Sequence, residues 1–411
     1  MFVSLNNLCN NSIGVIYLSQ KKYDSSAIFF ESSFTYFLKH SEENYNNAIG
    51  VMNNLYDLYV PLKKYKEAKA VFSKLLPVIE IKEGIMSANY QAVFSNLTGA
   101  MTFLKEYAGL ETLYKKVLPE IQKAKGKFSK EYRDLAYELS TCLKELKKYN
   151  DAVFFLKETV QARIVIADNK ENSDIALRNN EIGLLYIELK SYDSAAVYLE
   201  KSFNYFVRNA VEEYDNALTL MSNLEELYIP MQDYEEAKKV YIKILPIVEK
   251  KEGILTEVFR TTVTKYVNVL EHLEEYPLAQ QYLKNVVNAI ENKKATASPV
   301  YFEMLYLLAK DLRKADKLDE SILVYKKTIN AVYISLKDTA NTKVAFCNNE
   351  IGLAYLSQKK YDAAKDHIAK VFQNGYSQEL EDYVTKKNVS LKFNDIKKKQ
   401  VPAYFSPQKY K

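Results

Sequence analysis

The eight residues YLSQKKYD at 17–24 return unchanged at 355–362, and YIELKSYD stands at 186–193, so the spacing is 169 residues twice over. A longer comparison gives the same period: residues 44–85 align without a gap to 213–254, with 22 of 42 positions identical. Such a chain has to fold as a series of like units, because a repeat too small to bury its own apolar face is completed by its neighbours. Within each block a shorter beat is marked by an aromatic residue and a small one three places on. It runs Tyr23/Ser26, Tyr65/Ala68, Tyr107/Leu110, Tyr149/Ala152, Tyr192/Ala195, Tyr234/Ala237, Tyr276/Ala279, Leu318/Ser321 and Tyr361/Ala364. The steps are 42, 42, 42 and 43, then the same four again, which makes nine units.

Each unit reads as a pair of helices. Before the marker, Ile182, Leu185, Tyr186 and Leu189 recur at helical spacing; after it, Ala195, Ala196, Leu199, Phe203 and Phe206 do the same. The connection is short and polar, as at 188–191 and 21–24, and Asp24, Asp193 and Asp362 are expected to cap the second helix. Pro61, Pro230, Pro77 and Pro246 are expected at helix ends, with Gly84 and Gly253 closing the second helix. Only 10 Gly and 9 Pro in 411 residues leave too little punctuation for a sheet protein built on tight turns. The pattern predicts an all-α chain, a right-handed α-solenoid of about nine helix pairs over residues 1–375, followed by a degenerate basic segment at 376–411.

These residues resemble a known family. Gly14, Gly183 and Gly352 each follow an isoleucine, a tyrosine comes three places later and the marker tyrosine nine places after the glycine; then come the small residue and a large apolar one, such as Phe30, Phe72, Leu199 or Tyr241. That order is similar to the tetratricopeptide repeat, whose pattern is Leu-Gly-x-x-Tyr followed by Tyr-x-x-Ala-x-x-x-Phe. The unit is longer than the family's usual one, like the 42-residue variants of kinesin light chains and many bacterial regulatory proteins. The glycine survives only in the first, fifth and ninth units, and the usual tryptophan is absent, since the chain has no Trp. The resemblance implies a non-catalytic scaffold or adaptor that binds a protein or peptide in a groove. An alternative it also carries is a sensory or regulatory domain of a bacterial signalling protein whose effector lies outside this chain.

Composition excludes little beyond this. No Gly-x-Ser-x-Gly, Walker, His-Glu-x-x-His or Gly-x-Gly-x-x-Gly pattern occurs, and His40, His272 and His367 fall in different units, so neither catalysis, a metal nor a cofactor is expected. Cys9, Cys142 and Cys347 have no ligand-like or disulfide-framework spacing, which fits a reducing, cytoplasmic setting. No membrane span and no leader are expected. The net charge of +5 is concentrated at 384–411, where eight lysines face the single Asp395, and the run Lys397–Lys399 is too short to indicate nucleic acid. Terminal repeats normally carry a polar cap, so one end is expected to be covered by another segment or by a second subunit, a homodimer included.

The candidate binding residues are asparagines. Asn10/Asn11, Asn53/Asn54, Asn96, Asn179/Asn180, Asn223 and Asn348/Asn349 occupy one or both of two equivalent first-helix positions in six of the nine units. Asn disfavours helix interiors, so its repeated use there calls for a reason. Two readings are open. In similar repeats of the kinesin light chain kind such amides face an inner groove and hold the backbone of an extended peptide, since an amide both donates and accepts. On that reading Asn11, Asn53, Asn54, Asn96, Asn180, Asn223 and Asn349 bind peptide. On the other, they bridge neighbouring repeats or cap loop carbonyls. Tyr56, Tyr306 and Tyr333 lie outside the repeat pattern and are weighed as recognition residues, since Tyr is enriched at interfaces.

Overall fold

The computed structural model describes residues 2–168, 170–336 and 342–373, and the basic segment at 376–411 lies outside them. It divides into two units, 1–206 and 207–411. Unit 1 holds five helix pairs, α1 (Phe2–Ser19) with α2 (Tyr23–Lys39), α3 (Ser41–Tyr59) with α4 (Tyr65–Glu83), α5 (Ala88–Phe103) with α6 (Tyr107–Lys125), α7 (Lys130–Glu145) with α8 (Tyr149–Ile166), and α9 (Ser173–Glu188) with α10 (Tyr192–Arg208). Unit 2 holds four, α11 (Tyr214–Tyr228) with α12 (Tyr234–Glu252), α13 (Glu257–His272) with α14 (Tyr276–Asn292), α15 (Pro299–Lys314) with α16 (Leu318–Leu336), and α17 (Thr342–Ser357) with α18 (Tyr361–Gln373). Among the described residues every regular element is a helix, as the 3.6-residue spacing predicts, and the five pairs of unit 1 and the four of unit 2 each stack as an α-solenoid.

The marker residues explain the period. Ala68, Ala152, Ala195, Ala237, Ala279 and Ala364 are all at most 2% exposed, which lets the two helices of a pair approach. Where serine stands instead, its hydroxyl donates to a first-helix carbonyl, Ser26 Oγ to Gly14 O at 2.8 Å and Ser321 Oγ to Ala309 O at 2.9 Å. The large residues four places on, Phe30, Phe72, Leu199 and Tyr241, are 0–1% exposed. Burying each of them contributes about 1.5–3 kcal/mol before entropy is charged.

The connection that recurs as QKKYD is built on a left-handed residue. Lys21, Lys63, Lys105, Lys147, Lys190, Gln232, Glu274, Asp316 and Lys359 all have φ between 56° and 60°, two places before the marker. Lys22 N–H then donates to Tyr17 O and Lys21 N–H to Leu18 O, both at 2.9 Å, which closes the first helix. No glycine fills this place, although glycine adopts it without steric cost. Lys105→Gly is therefore expected to raise stability by up to about 1 kcal/mol, read as a higher urea midpoint; a lower midpoint would show that the lysine side chain contributes more than its strained backbone costs.

Helix ends partly differ from the expectation. The second helices begin at the marker itself, so Asp24, Asp193 and Asp362 lie in the first turn, where they favour the helix dipole rather than cap it. Side-chain caps are mostly on first helices, where Ser87, Ser129, Asn172, Thr256 and Ser298 each accept from the N–H three residues on; among second helices Asp233 caps α12 in the same way. Pro61 and Pro230 follow α3 and α11 as expected, but Pro77, Pro119 and Pro246 stand inside α4, α6 and α12. Their exposed faces let water take the carbonyl that each leaves unpaired.

The same two positions, four places after one marker and one before the next, make four links between successive pairs. Lys69 reaches Glu106 at 2.5 Å, Lys148 reaches Glu111 at 2.7 Å, Lys238 reaches Glu275 at 2.8 Å, and Lys317 Nζ donates to Gln280 Oε1 at 2.7 Å. The polarity reverses between the first link and the second, so the third pair is acidic at both contacts. As partly exposed pairs each is worth about 0–1 kcal/mol.

Candidate functional site

The first helices of unit 1 carry an open polar face. On α3, Gly50, Asn53, Tyr56 and Asp57 are exposed; on α5, Ala92, Ser95 and Gly99 are exposed and Asn96 is half-buried. A Cβ added at Gly50 or at Gly99 would meet nothing within 4 Å, so bare helix backbone faces open space beside the asparagines.

The asparagines do not all have one environment. Asn54 Nδ2 donates to Asn11 Oδ1 at 2.8 Å, which joins α3 to α1 as the bridging reading expects. Asn53 and Asn96 make no side-chain hydrogen bond among the described residues and keep both donor and acceptor for another molecule. Asn180 and Asn223 are half-buried and belong to different units. In unit 2, Asn349 is 4% exposed and its neighbour Asn348 is 3% exposed. Asn348 Nδ2 donates to Val344 O at 3.0 Å, and its Oδ1 stands 3.0 Å from His367 Nδ1.

Further along unit 1 the equivalent positions turn aromatic and acidic. Tyr137 and Glu138 on α7 stand where α3 has Asn53 and Asn54, and Tyr137 O–H donates to Glu181 on α9 at 3.4 Å. This is the same inter-repeat link as Asn11 with Asn54, made with different side chains. The Arg178 guanidinium lies 4.1 Å from the Tyr137 ring centre and pairs with Glu181 at 2.5 Å; Arg163 pairs with Asp174. Surrounding protein, and then the charge of Asp134, push the Glu138 carboxyl above its usual range. The face thus passes from neutral amides on α3 and α5 to paired charges on α7 and α9. The sequence pattern picked out the amides but not Gly50 and Gly99, which are visible only as gaps in an otherwise apolar and polar rhythm.

Of the tyrosines weighed for recognition, Tyr56 is exposed on this face. Tyr306 and Tyr333 are half-buried, and the Tyr306 ring packs edge-on to Tyr325 with centres 6.0 Å apart, so burial raises its phenol well above the usual range. No group of three or more potential metal ligands occurs among the described residues, and none of their helices is long and apolar enough to cross a membrane. Cys9 is exposed, whereas Cys142 and Cys347 are buried, and all three are free thiols.

The model of the tetratricopeptide repeat matches residues 178–205, which are the body of α9 and α10. The fifth helix pair is a tetratricopeptide repeat. The other eight pairs share its marker spacing, all but the third, which has Leu110, share its small-residue contact, and the first and ninth share its glycine packed on the second helix. Among solved structures, tetratricopeptide-like repeats of a kinesin light chain from Podospora anserina are 14% identical, with 50% of this chain and 97% of that one covered and a TM-score of 0.37. The apo quorum sensor NprR of B. thuringiensis is also 14% identical, with 90% and 99% covered and a TM-score of 0.34. No curated protein sequence matches this chain.

Proposed function

We propose that this tetratricopeptide array is a non-catalytic scaffold whose first-helix face on unit 1 holds an extended protein or peptide segment. The observation that carries this reading is the pair of unengaged amides, Asn53 and Asn96, set beside bare backbone at Gly50 and Gly99. An amide that donates and accepts at once pairs with peptide N–H and C=O groups whatever the sequence, and glycine lets a main chain come close. Asn11 and Asn54 support the row by holding α1 to α3, while Asn180, Asn223 and Asn349 occupy the same registers in less open surroundings. Tyr56 supplies flat apolar surface for side chains of the bound segment.

Selection of random displayed peptides on the purified chain tests the reading. Selected peptides are expected to bind Asn53→Ala/Asn96→Ala at least tenfold more weakly, with circular dichroism unchanged, and to bind Asn150→Ala, on the exposed surface of α8, as they bind wild type. Equal binding to all three proteins removes the amides from the site. Self-association through α1, whose Leu5, Leu8, Val15 and Ile16 are exposed at 41–59%, would present two such faces in one assembly. Light scattering of Ile16→Glu beside wild type decides whether that occurs.

A further inference from the structure

The groove between second helices α6 and α8 holds a cavity of about 250 Å³, floored by Leu118, Tyr132 and Phe155 and rimmed by Pro119, Phe154 and Lys127. Phe154 is 56% exposed, an unusual place for a phenylalanine on the outer surface of a second helix. The reason the groove is open can be read from its counterparts. After α4, α6 and α12 the chain turns through Gly84, Gly126 and Gly253, whose φ/ψ values are 82°/166°, 87°/159° and 87°/162°. The next residue therefore leaves the turn in the same direction each time. It is Ile85 after α4, packed against the unit 1 core, and Ile254 after α12, 4% exposed, but Lys127 after α6. Lysine carries its ammonium to the mouth, where it pairs with Glu158, and leaves unfilled the space that an isoleucine takes elsewhere.

The charge around the mouth is basic apart from Glu158, with which Lys127 pairs. Residues 122–130, QKAKGKFSK, contain four lysines and no acid. Lys123, Lys125 and Lys130 have no acidic partner within ion-pair distance among the described residues. In the two plugged counterparts the isoleucine is preceded at two places by glutamate, Glu83 before Ile85 and Glu252 before Ile254. We infer that the α6/α8 groove is a docking pocket for an acidic segment of a partner protein that inserts a branched aliphatic side chain, in the manner of the chain's own Glu-Gly-Ile turns. The site lies between second helices, with Tyr132 of α7 at its floor, and is separate from the asparagine face.

A capped pentapeptide with the sequence of residues 252–256, EGILT, which is net acidic, serves as the probe, read by the NMR shifts of the Leu118 methyl groups in the full chain. A saturable shift is expected, at least tenfold weaker for the same peptide with glycine in place of isoleucine, and weaker again in salt. In Lys127→Ile the pocket fills from within, so the shift is lost while the thermal midpoint rises. Phe154→Ser, at an exposed position that leaves folding intact, is expected to lose the shift as well. An absent or non-saturating shift, equal shifts from the two peptides, or binding that survives both substitutions overturns the proposal.

Discussion

Adding one methyl group at Gly183 is expected to destabilise unit 1 by about 1–3 kcal/mol, the range found for overpacking a filled core. A Cβ there would stand 2.6 Å from Leu199 Cγ, 2.7 Å from Leu199 Cδ2 and 3.2 Å from the Leu199 backbone nitrogen. Leu199 is fully buried and cannot swing aside, and its backbone belongs to α10, so relief requires the two helices of the pair to separate. The same substitution at Gly50 is expected to have the opposite sign. Nothing lies within 4 Å of its Cβ position, and alanine in a helix interior gains about 0.5–1 kcal/mol over glycine through the entropy of the unfolded chain. The two variants differ by one methyl group each and sit in equivalent first helices, so urea midpoints of Gly183→Ala and Gly50→Ala compare packing with propensity directly. A Gly183→Ala midpoint at or above wild type would show that the α9–α10 contact is not a tight one.

The contrast between these glycines shows what was legible in the sequence. The period, the pairing of helices and the contact between Gly183 and the Leu199 position follow from letters that recur at fixed spacing, because tight helix contacts restrict the residue at each place. Positions that face solvent are under no such restriction. The left-handed turn residue is lysine, glutamine, glutamate or aspartate, so no single letter marks it, and only the backbone shows that all nine share one conformation. Pro77 and Pro246 read as stops but lie, as Pro119 does, on exposed faces within 19-residue helices, where lost hydrogen bonds fall to water. The asparagine rows were visible, yet spacing alone does not separate an amide that bridges repeats, as Asn54 does to Asn11, from one left open, as at Asn53. The α6/α8 pocket is the clearest case of information in a departure: Lys127 matters because Ile85 and Ile254 show what the place holds otherwise.

A second departure of this kind predicts how unit 2 responds to pH. Seven places before the marker, the other units carry Ile16, Leu58, Ala100, Cys142, Leu185, Leu227, Val269 and Ala354, while the eighth carries Asp311, which is 0% exposed. Neither of its carboxylate oxygens makes a hydrogen bond, and nor does Gln280 Nε2, whose partner oxygen is taken by Lys317. Facing it are Gln280 on α14, Glu271 on α13, and Lys310 and Lys314 on α15, and the two lysines are held by Glu271 at 3.1 and 2.5 Å. Burial pushes the Asp311 carboxyl up to about 6. In the unfolded chain an aspartate titrates near 3.9, so between those values the folded state binds the extra proton and stability falls as pH rises. The difference corresponds to about 3 kcal/mol, fully present as a cost above pH 6 and absent below about pH 4. Asp311→Leu, which restores the residue found at Leu58, Leu185 and Leu227, is therefore expected to raise the urea midpoint at pH 7.5 and to have little effect at pH 4. Comparing the two proteins at each pH cancels the titration of carboxylates distant from Asp311, because those groups are common to both. A gain that is the same at both pH values would mean that leucine acts by packing alone and that Asp311 is protonated or paired throughout. A loss at pH 7.5 would mean that the charge is held by a partner, and would make Asp311 an organising contact of the eighth repeat.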